Sequence, residues 1–200
     1  MISKGFGQFA GLCAILAGLI GLLYAVSFIV LQNTLLSGLS LAVGGLLATA
    51  ALTALFQRVR EVDPSLALWA LGLVIFGALG SAIHGGYDLA NAIHPAAVPN
   101  TDLPNPIDPR GLLTFGVSGI GMLVIAWLTG RAAGLPKGLS YLGYALGILS
   151  VILYLGRLIA LSPSSPVIFV PALLAGFVAY PAWYVWTGIV LRRGAADGIQ

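Results

Sequence analysis

The sequence predicts an all-α fold: a polytopic membrane protein whose single domain is a bundle of six transmembrane helices with both termini cytoplasmic. Three observations carry this. Of the 200 residues, 59% are hydrophobic and only 8% are charged, whereas a soluble domain carries charge at about a quarter of its positions. The mean hydropathy is +1.02, too apolar for a chain that must clothe itself in water-facing side chains. The charges that exist fall between long apolar runs rather than within them.

A hydrocarbon layer about 30 Å thick takes roughly 20 helical residues to cross. Six segments of that order lie between breakers and charges, at about 6–31, 38–57, 65–91, 111–130, 138–161 and 167–191. All must be helical, because an open sheet edge has no hydrogen-bond partner in lipid. The connections agree with these cuts: 58–64 is charged, 95–110 holds five prolines, 131–137 is short and basic, and 162–166 reads SPSSP. The first run is longer than the ~7–15 apolar residues of a signal peptide, so it is expected to stay as a span. Cys13, the only cysteine, lies within it and reads as a small apolar side chain.

Orientation follows from the Lys/Arg bias. With the N-terminus inside, Lys4, Arg58, Arg60, Arg131, Lys137, Arg192 and Arg193 are cytoplasmic, Arg110 is outside, and Arg157 stands within a span. Trp127, Tyr141, Trp183 and Trp186 then fall near the inner boundary and Tyr24 and Tyr87 near the outer one, as an aromatic belt requires. Small-residue pairs at four-residue spacing mark candidate crossings: Gly7/Gly11, Ala14/Gly18, Gly44/Ala48 and Gly143/Gly147. Pro171 and Pro181 are expected to bend the last helix.

The most polar stretch is SAIHGGYDLANAIH, residues 81–94. On a helix Ser81, His84, Asp88 and Asn91 form one stripe. At about 1.5 Å per residue from Pro64, His84 reaches the outer edge of the hydrocarbon and Asp88 passes it. A helix leaving the membrane becomes amphipathic for that reason alone. Arg157, however, sits at the same depth on the fifth span, and a cation there must pair or snorkel. Asp88 is within its reach along the membrane normal. The candidate ligand-binding residues are therefore His84, Tyr87, Asp88, Asn91 and Arg157, beneath a proline-braced outer loop, 95–110, suited to act as a lid. A second polar stripe, Thr49, Thr53 and Gln57, reads as structural, since threonine in a span bonds its own backbone.

Other chemistries find little support. His84 and Asp88 have ligand-compatible spacing, but two ligands are too few for zinc and His94 is turned about 80° away. No second buried histidine completes a haem pair. Paired carboxylates, a nucleophile beside a base and a phosphate-binding glycine loop are all missing from the sequence, so no metal, cofactor or catalytic residue is assigned. The cations are scattered singly or in pairs, which suits membrane ends and not nucleic acid.

The segment GLPKGLSYLGYALGILSVILYLGRLI, residues 134–159 and about one eighth of the chain, resembles the fifth-span entry of an uncharacterised bacterial family of six-span membrane proteins. There a short Leu-Pro loop leads into a glycine-rich helix. The resemblance implies a bacterial inner-membrane location. Three classes of function remain: a non-catalytic subunit, scaffold or assembly component packed against other spans or its own copies; an outward-facing binding protein or transporter for a small molecule, lipid or ion; and a membrane enzyme. The first is favoured because the spans hold almost no ionisable residue.

In a chain whose native thiol is removed by Cys13→Ala, a cysteine introduced by Ala133→Cys is expected to react with a membrane-impermeant thiol reagent only after cells are opened. Labelling from outside intact cells inverts the layout.

Overall fold

The computed structural model describes residues 3–95, 111–160 and 164–196. All regular structure among them is helical, and five helices are long and apolar enough to cross a membrane, with a shorter apolar helix besides. The protein is a helical membrane bundle. In chain order α1 is Lys4–Ala25, α2 Thr34–Val59, α3 Pro64–Ile93, α4 Ser118–Thr129, α5 Lys137–Ile159, α6 Pro166–Leu174 and α7 Tyr180–Ala196. Three π-helical turns extend this scheme: Val26–Val30 continues α1, Leu112–Val117 leads into α4, and Ala175–Ala179 joins α6 to α7 as one rod. The bundle thus has six rods. The proposed lid falls, apart from Pro95, outside the described residues.

Local chemistry sets the helix starts. Asn33 accepts from Leu36 N–H at 2.9 Å and begins α2 at Thr34, four residues ahead of the sequence expectation. Asp63 accepts from Leu66 N–H at 2.9 Å, with Pro64 in the first turn where its missing donor costs nothing. The fourth rod is the short one, since α4 proper spans only Ser118–Thr129 and its entry is a π turn. In the sixth, the helix passes through Pro171 and reaches Pro181 with the wider Ala175–Ala179 turn between them, a known way of absorbing displaced carbonyls.

Neighbouring rods run antiparallel around a ring, and α7 returns to α1. Backbone meets backbone at the crossings. A Cβ on Gly188 would stand 2.5 Å from the Gly11 carbonyl oxygen, one on Gly85 2.5 Å from that of Gly38, and one on Gly45 2.5 Å from that of Ala78. Gly119 and Gly147 face each other with 3.0 Å either way. All eight residues of the four expected small-residue pairs are buried, yet one of the tightest crossings, Gly38 on Gly85, is not among those pairs. Ser140 adds a cross-helix bond, its hydroxyl donating to the Ala126 carbonyl of α4 at 2.6 Å.

The half of the ring that carries the termini is solid. Leu52, Leu55, Ile125, Leu128, Leu139 and Trp183 fill it, each at most 2% exposed. Trp183 therefore departs from the belt position expected of it: its indole turns inward against Tyr184, centroids 4.9 Å apart, in space that Gly143 leaves open. Trp127 keeps a boundary role, with the Arg131 guanidinium 3.8 Å above its ring. Lys4, Arg58, Arg131, Lys137, Arg192 and Arg193 all belong to helix ends or turns at this end.

Gly85→Ala is expected to lower stability by about 1–3 kcal/mol through overpacking. Gly86→Ala, one residue on with nothing near the new methyl, is expected to be neutral or stabilising by up to about 1 kcal/mol. Denaturant unfolding in detergent micelles measures both, and equal effects would discount the Gly38–Gly85 crossing.

Candidate functional site: a cavity in the far half of the bundle

Beyond the solid half the six rods enclose a cavity of ≈ 870 Å³ at the end remote from the termini. That volume lies in the upper part of the range, ~300–1,000 Å³, that accommodates drug-sized ligands. Its depth follows from α3, which lines it from Val74 to Asp88, about 21 Å along the axis at 1.5 Å per residue.

Four walls grade from polar at the far end to apolar at the floor. On α2 the lining passes from Ser40 to Leu52; on α3 from Asp88, His84 and Ser81 to Val74; on α4 and its π turn from Thr114 and Ser118 to Met122; on α5 from Arg157 and Ser150 to Leu146. The first and sixth rods differ. Their far ends contribute Phe28, Ile29, Ile168, Phe169 and Ala172, while Tyr24, Tyr180 and Tyr184 stand deeper. Tyr180 and Tyr184 pack at 4.4 Å between centroids.

The charged groups gather at the polar end. His84 Nε2 lies 3.5 Å from Asp88 Oδ2 one turn along α3. Arg157 reaches in from α5, its guanidinium 3.8 Å from where a Cβ on Gly111 would stand. Tyr24, from α1, lines the same cavity. Three rods thereby bring a carboxylate, a guanidinium and a phenol into one cavity. A ligand there meets both signs of charge and a depth of hydrocarbon below them.

Hydroxyls complete the wall. Ser81 donates to the Gly77 carbonyl at 3.1 Å and Ser150 to that of Leu146 at 2.8 Å, each bonding its own helix. Thr114 Oγ1 is buried and, among the described residues, has no hydrogen-bond partner. Buried polar atoms in that condition cost free energy unless something else supplies the bond. Further unusual backbone surrounds the same space. All three π turns contribute lining residues, and such turns concentrate at functional sites. Gln32, also in the lining, holds a left-handed φ of 49°, a strained conformation for a residue with a Cβ.

Of the residues singled out from sequence, His84, Asp88 and Arg157 line the cavity together. Tyr87 does not: it sits 100° around α3 from Asp88 and is 45% exposed on the outer surface. Asn91 continues the stripe but lies a turn beyond the lining. Asp88 Oδ2 lies 3.5 Å from His84 Nε2, and Arg157 lines the same cavity. The Thr49/Thr53 stripe satisfies itself, Thr49 donating to Leu46 O at 2.6 Å and Thr53 to Thr49 O at 2.8 Å. Sequence reasoning missed Tyr24, Thr114, Ser118, Tyr180 and Tyr184. Pairs of polar side chains three or four residues apart in otherwise apolar rods, such as Thr114/Ser118 and Tyr180/Tyr184, were the available signal.

Among the described residues no three His, Cys, Asp or Glu side chains come together. Comparison of the chain with protein-family models, with curated proteins and with solved structures yields no match, so function is read from the residues themselves.

In a Cys13→Ala background, Ser81→Cys and Ser150→Cys are expected to react with a small water-soluble thiol reagent. Phe76→Cys, on the outer surface where Phe76 is 60% exposed, is expected to stay unreactive in a bilayer. Equal reactivity at all three positions would remove the distinction between cavity and lipid face.

Proposed function

We propose that the protein is a non-catalytic, membrane-embedded binding or carrier protein for a small amphiphilic ligand held in the far half of its bundle. One observation carries the reading: a cavity of ≈ 870 Å³ has His84, Asp88 and Arg157 at one end and Val74, Met122 and Leu146 at the other. Ionisable groups at membrane depth are expensive and mark binding or transport paths. The polar end fixes a ligand's orientation and the apolar depth supplies affinity, the usual division of labour in a small-molecule site.

The setting we propose is the bacterial inner membrane with both termini cytoplasmic, which puts the cavity in the outer leaflet. The Lys/Arg asymmetry and the resemblance of residues 134–159 support it. A subunit role in a larger membrane complex is compatible with this function, because the apolar outer faces suit lipid and partner spans alike.

Native mass spectrometry of protein purified in mild detergent is expected to find a bound small molecule on the wild type. Asp88→Asn and Arg157→Gln are each expected to weaken its retention about tenfold, or ~1.4 kcal/mol. Occupancy unchanged in both variants counts against the site.

A further inference from the structure

The seam between the first and sixth rods changes character partway along. In the termini half it is locked: a Cβ on Gly11 would stand 2.9 Å from the Gly188 carbonyl oxygen, one on Gly18 2.9 Å from that of Pro181, and Gly21 lies under the Tyr180 ring. Gly176 still packs on Ala25: a Cβ there would stand 3.0 Å from the Ala25 methyl. At that level both rods enter π turns, Val26–Val30 and Ala175–Ala179. Above it, among the described residues, α6 packs on α5 with no comparable packing on the first rod.

Among the described residues, this loosely packed stretch of seam is lined by apolar side chains from both rods. Phe28 and Ile29 line the cavity from the first rod, Phe169 and Ala172 from the sixth. Phe28 and Phe169 are also 58% and 44% exposed on the molecule's surface. They belong to the cavity wall and to the lipid face at once. A passage for an ion or a water-soluble solute would offer hydrogen-bonding groups along its edge; this edge offers hydrocarbon and aromatic rings along its length, with the polar side chains of Gln32 and Ser164 at its outer end.

We propose that the cavity is filled sideways from the bilayer through this seam, and that its ligand is a zwitterionic membrane lipid which swings one hydrocarbon chain into the bundle. The inference rests on the binding reading above and narrows it. The seam runs up to the level of Asp88 and Arg157, so the headgroup travels at the membrane surface while the chain passes between Phe28 and Phe169. No charge has to cross hydrocarbon, the step that would otherwise dominate the barrier. Asp88 and Arg157 then face the positive and negative ends of one headgroup, and the chain runs down the apolar depth toward Met122. Both signs of charge line that end of the cavity, so a head that carries both is matched on each side.

The test uses the full chain in phosphatidylglycerol vesicles containing a small fraction of a lysophosphatidylcholine with a diazirine near the end of its acyl chain. The protein carries Cys13→Ala, Ile29→Cys and Phe169→Cys, and a bifunctional methanethiosulfonate reagent bridges the seam reversibly. Light is expected to crosslink the probe to peptides containing Val74, Met122 or Leu146. Bridging is expected to lower that yield about tenfold, and reductant to restore it, with labelling around the lipid-facing Phe76 unchanged throughout. Ala172→Trp, which plugs the seam without a bridge, is expected to lower the same crosslinks.

Cavity crosslinks that survive bridging and Ala172→Trp but fall in Arg157→Gln would overturn sideways filling and leave the binding function standing. A diazirine fatty acid labelling the cavity as well as the zwitterionic probe would overturn the headgroup assignment alone. Absence of cavity crosslinks in the unbridged protein, with Phe76 still labelled, would overturn the lipid ligand; a small-molecule adduct in native mass spectrometry would then still support the binding function.

Discussion

Helices in a membrane gain little by hiding apolar surface from one another, since lipid is as apolar as they are; they hold together by close van der Waals contact. In this bundle that contact is made where glycine lets two backbones touch, at Gly11 on Gly188, Gly38 on Gly85 and Gly119 on Gly147. Around most of the ring these contacts continue into the far half, since Gly38 and Gly85 lie there. Between the first and sixth rods they stop at Gly176 and Ala25. Among the described residues, the packed floor, the cavity and its loosely packed edge follow where glycine permits contact and where it does not.

The polar groups obey a complementary constraint. Ser81, Ser150, Thr49 and Thr53 bond carbonyls of their own helices, which lets a hydroxyl sit at membrane depth without a partner rod. Charged groups have no such local remedy; apart from those at the helix ends of the termini half, the described spans carry them where the cavity receives them. His84, Asp88 and Arg157 are tolerated at that depth because two helices turn them inward, toward one another's neighbourhood and away from lipid.

Much of this was legible in the sequence. Long apolar runs fixed the number and approximate bounds of the rods, because lipid thickness and backbone hydrogen bonding leave no other solution. Matching depths of His84, Asp88 and Arg157 followed from counting residues along two helices. What a single helix cannot reveal is its rotation relative to its neighbours. Tyr24 and Trp183 sit at sequence positions appropriate to a boundary belt, yet one lines the cavity and the other fills the floor. Tyr87 adjoins Asp88 in sequence and faces the opposite environment. The π turns left no mark in periodicity, since one extra residue in five is lost in a uniformly apolar run.

Those turns carry a consequence for the sixth rod. Each residue advances an α-helix by about 100°, so a single wide turn resets the angular phase between what lies above it and what lies below. The glycine edge of α7 can mesh with α1 while Ile168, Phe169 and Ala172 of α6 point to the cavity, two alignments that one unbroken α-helix would have to reconcile. Ala175–Ala179 thus works as a phase adjuster, and losing one residue there would rotate the upper segment out of the wall while leaving the lower one in place.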